Sequence, residues 1–225
     1  MKAAIVVFAK APQPGHVKTR LQPELSAEEA ALFYEASLCD VVRRLEGISP
    51  EIRIAYDPAP SAAEYFASQF SLLRREPQVT GDLGERLAAS FDALFRDGFE
   101  TAAIIGTDSP TLPVEYLDSA LAALSEVDAA FGPTADGGYY LVGLARRSWP
   151  ASRTLFHGIP WSTEDVLRTS LLRADQTQLS YRLLPAWYDI DKPTDLVRAE
   201  RDAAPGSHLA RWFQARKRAP SPDDA

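Results

Sequence analysis

One cysteine, Cys39, and three histidines are all that this 225-residue chain offers in thiol and imidazole. A lone cysteine closes no intramolecular disulfide, and no Cys/His pair has the spacing of a zinc site. Cys39 falls inside an apolar helical pattern and reads as a core residue. Long apolar runs are also missing. No stretch reaches membrane-spanning length, and no positively charged leader followed by an apolar segment precedes the first strand. The expectation is a cytoplasmic protein without membrane insertion. Basic charge is scarce as well: 24 Lys and Arg against 31 Asp and Glu leave a net charge of -7. That argues against nucleic acid, whose phosphate backbone demands a basic face. A small anionic ligand stays open, because local clusters matter there more than net charge.

What the chain does have is apolar content, 46% of its residues, enough for a sizeable core. The length implies one domain, expected over 1–204, with a partly disordered C-terminal extension over 205–225. The first twenty residues are the most informative. An apolar run over 3–8 reads as a buried strand. It breaks into a loop over 9–21 that carries Lys10, Lys18 and Arg20 and one glycine, Gly15, where backbone can approach a ligand. Small and basic residues after a first buried strand suit a polyphosphate, which exposed N–H groups and cationic heads can meet. A solvated surface loop is the plain alternative.

Strand and helix patterns alternate from there. Ser26 and Glu29 form a capping box for a helix running to Leu45 and stopped by Gly47. Strands are expected over 51–56, 70–75, 101–106, 128–132, 139–144 and 179–184. Helices are expected from a second capping box at Ser61–Glu64, after the loop 81–86, over 113–124, from Ser162 to about Ala174, and over 193–203. Leu209, Trp212 and Phe213 suggest one last docked turn before a disordered tail over 217–225. Such alternation implies an α/β sandwich with a largely parallel sheet, whose ligand crevice lies at the carboxyl ends of the strands.

The unusual residues follow those strands. Asp108 stands just past the 101–106 run, where it suits a hard divalent cation, Mg²⁺ or Mn²⁺, held by one or two carboxylates plus phosphate oxygens. A turn or helix cap is its other explanation. Asp191, ahead of the helix at Pro193, would complete a split metal site with Asp108 or would simply cap that helix. Asp136-Gly137-Gly138-Tyr139 lies between two apolar runs. The pattern is that of a hairpin turn, or of a sugar- or acceptor-binding loop in which Asp136 accepts from hydroxyls. Trp161, next to a helix start, is either a core staple or a platform for an acceptor.

Taken together, five segments resemble a bacterial transferase family of the GT-A glycosyltransferase superfamily, the radical-SAM/selenodomain-associated or arsenosugar-type transferases. They are the opening Phe8-Ala9-Lys10 through Leu21, and the runs 81–86, 106–110, 132–140 and 159–163. The resemblance covers residues 1 to about 200. More distantly the chain is similar to the nucleotidyltransferases of molybdenum-cofactor and 2-phospholactate guanylylation. The resemblance implies a GT-A-like three-layer α/β/α sandwich with a mixed, mostly parallel sheet. It implies that Lys18 and Arg20, with Ala9, Lys10 and Gly15, wrap nucleotide phosphates, and that Gly81, Gly84 and Arg86 lie by the base. It makes Asp108 and Asp191 the metal-binding acids. Two departures stand out: Lys192 replaces the usual Thr, and the opening loop lacks a Gly-Gly pair.

The expected function is a transferase that takes a nucleotide-activated donor with a divalent metal. Glycosyl transfer from a nucleotide-sugar is the first reading, with Asp136 as base on a small-molecule acceptor and Asp136, Gly137, Gly138, Tyr139 and Trp161 on the sugar or acceptor side. Nucleotidyl transfer from an NTP to a phosphorylated acceptor, releasing pyrophosphate, is the alternative, with Lys18 stabilising charge on the phosphates. In either case Lys18, Asp108 and Asp136 are the candidate catalytic residues.

Overall fold

The apolar run at the start becomes strand β1 (Ala3–Ala9), and everything else in the sheet is arranged around it. The computed structural model describes residues 2–22 and 24–218. Its residues group into two compact units. The first comprises Met1–Ala11, Gly47–Gly106 and Leu112–Asp189; the second comprises Pro12–Glu46, Thr107–Thr111 and Ile190–Ala225.

The first unit holds one seven-stranded sheet. Its strands are β1, β2 (Glu51–Tyr56), β3 (Arg74–Pro77), β4 (Thr101–Ile105), β5 (Ala129–Pro133), β6 (Tyr139–Ala145) and β7 (Tyr181–Leu183), in the order β3-β2-β1-β4-β6-β5-β7. The pairs β3–β2, β2–β1, β1–β4 and β5–β7 are parallel, whereas β6 runs antiparallel to both β4 and β5. The sheet is therefore mixed and mostly parallel, in an α/β fold of the GT-A-like type.

Burial explains why the central strands read so clearly in the sequence. Ala4 and Val6 of β1, Ala102 and Ile104 of β4, Phe131 of β5 and Val142 of β6 share one buried cluster. Helix α3 (Leu83–Arg96) closes that cluster with Leu87, Phe91, Leu94 and Phe95. Phe91 stacks on Phe156 at 5.7 Å between ring centroids. The alternate residues Ile5, Val7, Ala103 and Leu141 are fully buried too, so these strands are apolar on both faces, as a parallel sheet requires. Helix α2 (Ala62–Gln69), helix α4 (Val114–Ala123) and helix α5 (Val166–Gln176) complete this unit.

In the second unit, helix α1 (Ala27–Arg44) starts at the expected capping box: Glu29 N donates to Ser26 Oγ, and Ser26 N donates back to Glu29 Oε2. Helix α6 (Pro193–Asp202) begins at the expected proline. Helix α7 (His208–Arg218) packs on α1, with Phe33 edge-on to Trp212 at 5.1 Å. The buried Asp40 caps α7, accepting from His208 N at 2.9 Å and Leu209 N at 2.8 Å.

Several expectations are corrected. The third strand lies at Arg74–Pro77, not over 70–75, because an edge strand needs little apolar content and the apolar residues before it form the end of α2 and a turn. The second capping box is absent: Ser61 has φ 63° and its side chain makes no capping hydrogen bond. The segment 81–86 is not all loop, since Asp82 caps α3 with Glu85 and the helix starts at Leu83. Helix α5 starts at Val166, four residues after Ser162. The final turn is a helix of 11 residues that includes Lys217 and Arg218, so those two belong to no tail. The rest of the expected tail, 219–225, lies outside the described residues.

Candidate active site

Lys18 stands at a tight, well-packed corner. Val17 and Leu21 on either side are buried, and Leu21 N donates to Lys18 O at 2.9 Å to start a 3-10 turn, Thr19–Leu21. The Lys18 backbone takes the left-handed conformation, φ 48° and ψ 35°, unusual for a residue with a side chain. Gly15 has φ 77°, a turn conformation that favours glycine, with open space where a Cβ would be.

The ammonium of Lys18 meets two acids. Nζ lies 2.5 Å from Asp108 Oδ1 and 3.2 Å from Asp191 Oδ1, and it donates to Ile190 O at 2.5 Å. The Lys18 side chain is 4% exposed, whereas those of Asp108 and Asp191 are 51% and 34% exposed. Burial works to lower the Lys18 pKa, but the charges and hydrogen bonds of Asp108 and Asp191 outweigh it and hold the ammonium above its ordinary value. Arg20, mostly exposed, brings NH1 to 3.8 Å from Asp191 Oδ2.

Four further hydrogen bonds hold the segments that carry the acids. Ile190 N donates to Asp108 O at 2.9 Å, tying the two segments by backbone. Thr107 Oγ1 donates to the Tyr34 hydroxyl of α1 at 3.2 Å. Asp195 Oδ2 accepts from Asp191 N at 3.0 Å and Lys192 N at 2.8 Å. Asp195 therefore satisfies the start of α6, and the Asp191 carboxylate faces Lys18 and Arg20; the cap role considered for Asp191 belongs to Asp195. An acid two residues after a helix-starting proline is the signal that would have found Asp195. No sequence signal points to the Ile190 carbonyl.

The remaining candidates lie in the first unit. Ala9 is buried and its carbonyl accepts from Asp57 N at 2.8 Å; Lys10 is exposed. Arg86, in the first turn of α3, donates to Gly81 O at 3.0 Å and Gln78 Oε1 at 3.1 Å and lies 3.3 Å from Asp57 Oδ1. A Cβ on Gly84 would sit 2.4 Å from Phe156 O, so Gly84 is a helix-packing glycine.

The segment around Asp136 is a hairpin between β5 and β6, with Thr134 N donating to Gly138 O at 3.1 Å. Asp136 Oδ1 accepts from Thr134 Oγ1 at 2.5 Å and from Gly138 N at 3.2 Å, so that oxygen serves its own turn. Gly137 has φ 89° and Glu164 O lies 2.0 Å from where its Cβ would be; Leu167 N donates to its carbonyl. Tyr139 and Trp161 pack against the main buried cluster, edge-on to each other at 6.5 Å. Burial pushes the Tyr139 phenol pKa well up. The Tyr139 hydroxyl, Ser170 Oγ and Trp161 Nε1 are buried without a well-formed hydrogen bond.

Known proteins resemble this chain along most of its length. A protein from Desulfovibrio desulfuricans G20, provisionally assigned as a nucleotide-diphospho-sugar transferase, has a solved structure that matches with a TM-score of 0.89 at 29% identity, covering 96% of each chain. A cytidylyltransferase from Leptospira borgpetersenii matches with a TM-score of 0.58 at 13% identity over 96% of this chain and 94% of that one, a likeness of fold alone. In sequence, the chain is 27% identical over 209 residues to a 2-phospho-L-lactate guanylyltransferase of Halorubrum lacusprofundi, covering 88% of this chain and 86% of that protein. Residues 41–163 match the profile of a family described as uncharacterized proteins conserved in bacteria. The chain belongs to that family, DUF2064.

Proposed function

We propose that the protein is a metal-dependent transferase acting on a nucleotide-activated donor, and that its reaction is nucleotidyl transfer to a phosphorylated small-molecule acceptor with release of pyrophosphate. The observation that carries this reading is the buried Lys18 ammonium, held by Asp108 and Asp191 in the loops beyond β4 and before α6. Cations and acids gathered in this way suit chemistry in which charge moves between phosphate oxygens.

The donor set fits a hard divalent cation. Asp108 and Asp191 are oxygen ligands, partly exposed, that already converge on one positive charge. Among the described residues no group of three or more His, Cys, Asp or Glu could hold a metal. The remaining ligands would then be phosphate oxygens and water, the usual arrangement for Mg²⁺ or Mn²⁺ in phosphoryl chemistry. Bound there, the cation would supply charge neutralisation on the donor phosphates.

This chain's own residues do the rest. Lys18 and Arg20 bind and orient the donor phosphates. An acceptor phosphate oxygen attacks the donor's α-phosphorus, the bond to the bridging oxygen breaks, and pyrophosphate leaves with that electron pair. Lys18 steadies the charge that gathers on the leaving oxygens. Arg86 holds the Gly81 segment through three partners. The guanylyltransferase relative acts on a phosphorylated acceptor by its name, which favours this reaction over the others.

Glycosyl transfer of the arsenosugar type is the second reading. The provisional assignment of the Desulfovibrio protein favours it. The bonds of Asp136 within its own turn weigh against it, because the proposed base is already occupied in part.

The test is a thermal-shift panel of NTPs and NDP-sugars with Mg²⁺, followed by a pyrophosphate-release assay with phosphorylated acceptors. Stabilisation by an NTP together with acceptor-dependent pyrophosphate release is the expected result. Stabilisation by an NDP-sugar beyond the bare NDP, with no pyrophosphate from any NTP, would replace this reading with the second one.

A further inference from the structure

Lys18 has no hydrogen to spare. An ammonium carries three N–H donors. Three oxygens surround Nζ: Asp108 Oδ1 at 2.5 Å, Ile190 O at 2.5 Å and Asp191 Oδ1 at 3.2 Å. The side chain is 4% exposed, so no face of its head is open to an incoming phosphate. A lysine in this state cannot bind a donor while it keeps all three contacts.

The same oxygens are what a divalent cation would want. Two carboxylates and a backbone carbonyl form a hard, oxygen-only set. An ammonium and a divalent cation cannot both stand at contact distance from it, because their repulsion grows as the distance falls. The backbone of Lys18 is pinned by the buried Val17 and Leu21, but its four-carbon stem can carry the head elsewhere without moving that backbone.

We propose that Lys18 is a placeholder cation: in the free protein it occupies Asp108 and Asp191, and it yields them to a divalent cation that arrives with the donor, turning its freed ammonium to the donor's phosphates. The inference rests on the reading of those acids as the metal-holding pair. It adds a rule of assembly. Metal alone has to compete with a built-in charge, and phosphate alone finds Lys18 engaged, so each ligand raises the affinity for the other by the same factor.

The experiment titrates the full chain with Mn²⁺ alone, without nucleotide, reading free Mn²⁺ by electron paramagnetic resonance. Lys18→Met keeps the stem and removes the charge. The expected result is Mn²⁺ binding at least tenfold tighter in Lys18→Met than in the unmodified protein, with the gain lost in Lys18→Met/Asp108→Asn. Lys18→Gln repeats the measurement should the first variant fold poorly. On the unmodified protein, calorimetry with inorganic pyrophosphate should give at least tenfold tighter binding with Mg²⁺ than with EDTA. A Mn²⁺ site that needs Asp108 but is indifferent to Lys18 overturns the placeholder and leaves the proposed transferase standing. Mn²⁺ binding indifferent to Asp108 in both backgrounds overturns both.

Discussion

Among the described residues two cations have side chains about 95% buried, Arg53 in the first compact unit and Lys18 in the second, and each lies between two carboxylates. Arg53 of β2 is 5% exposed; it bonds Glu51 at 2.8 Å and Asp97 at 2.6 Å, and its guanidinium carbon lies 4.8 Å from the centroid of Phe99. Lys18 is 4% exposed between Asp108 and Asp191. The difference lies in where the partners come from. One acid that holds Arg53 stands two residues away on the same strand, and the planar fork is packed on an aromatic face. The oxygens around Lys18 include two that are 172 and 173 residues away, on loops, and among the described residues no aromatic ring backs the ammonium. The first arrangement reads as a fastening. The second reads as a charge kept ready for exchange.

The sharpest way to break that comparison is to remove each cation. Arg53→Met should lower the unfolding free energy by about 1.5–3 kcal/mol, the range for hydrogen bonds to charged groups, because the guanidinium loses both acids and its place on the Phe99 ring. Lys18→Met should cost about 1 kcal/mol or less, because Asp108 and Asp191 can return to water. Urea unfolding of both variants checks this, and equal losses would erase the distinction. The order should reverse for function. Lys18→Ala and Arg20→Ala should each weaken donor binding by about 1.5–3 kcal/mol, the range for hydrogen bonds to charged groups, as read by calorimetric titration. Asp108→Asn, or EDTA on the unmodified protein, should abolish turnover while the circular dichroism spectrum stays native. Full turnover in EDTA would refute a metal-assisted reaction.

The parts of the molecule that were legible in sequence are those with long, capped or doubly apolar patterns. Strand β1, the capping box of α1, strand β4 and the proline start of α6 all declare themselves locally. What was hidden depends on distant partners. The edge strand β3, Arg74–Pro77, has the sequence RREP and no apolar alternation to read. Helix α7 has its first turn capped by Asp40, 168 residues earlier, and fully buries only Leu209 and Phe213. The same division holds at the site. The residue types of Lys18, Asp108 and Asp191 were readable from their positions after or before strands and helices. Their convergence on one ammonium, the Ile190 carbonyl and the capping role of Asp195 were not, since each is a relation between segments far apart in the chain.

The acid limb of stability offers a finer test of the fastening. The hydrogen bond from Arg53 holds the Asp97 carboxyl below its usual range; burial opposes this, and the charges of Arg53 and Arg74 add to it. A carboxyl whose folded pKa is depressed contributes stability above its unfolded value, about 3.9, and loses it as pH falls through the folded value. Unfolding free energy should therefore drop on acidification from about pH 4 downward, and Asp97→Asn should flatten that drop. An unchanged slope in the variant would mean that Asp97 contributes nothing beyond its contacts at neutral pH.

The smallest expected effect concerns a third acid, Asp136, which sharpens the contrast from the other side. It follows a strand beside glycines, as Asp108 follows a strand beside Gly106, yet one of its oxygens accepts from Thr134 Oγ1 and Gly138 N within the β5–β6 turn. An acid bonded within its own turn stabilises that turn. Asp136→Ala should then lower stability by about 1 kcal/mol, the net worth of an intramolecular hydrogen bond or two. Donor affinity and the ratio of NDP-sugar to NDP binding should not change. Urea unfolding reads the first quantity and calorimetry the others. Should Asp136→Ala keep its stability and lose a preference for the NDP-sugar, Asp136 would join Asp108 as a working acid, and glycosyl transfer would displace nucleotidyl transfer as the better reading.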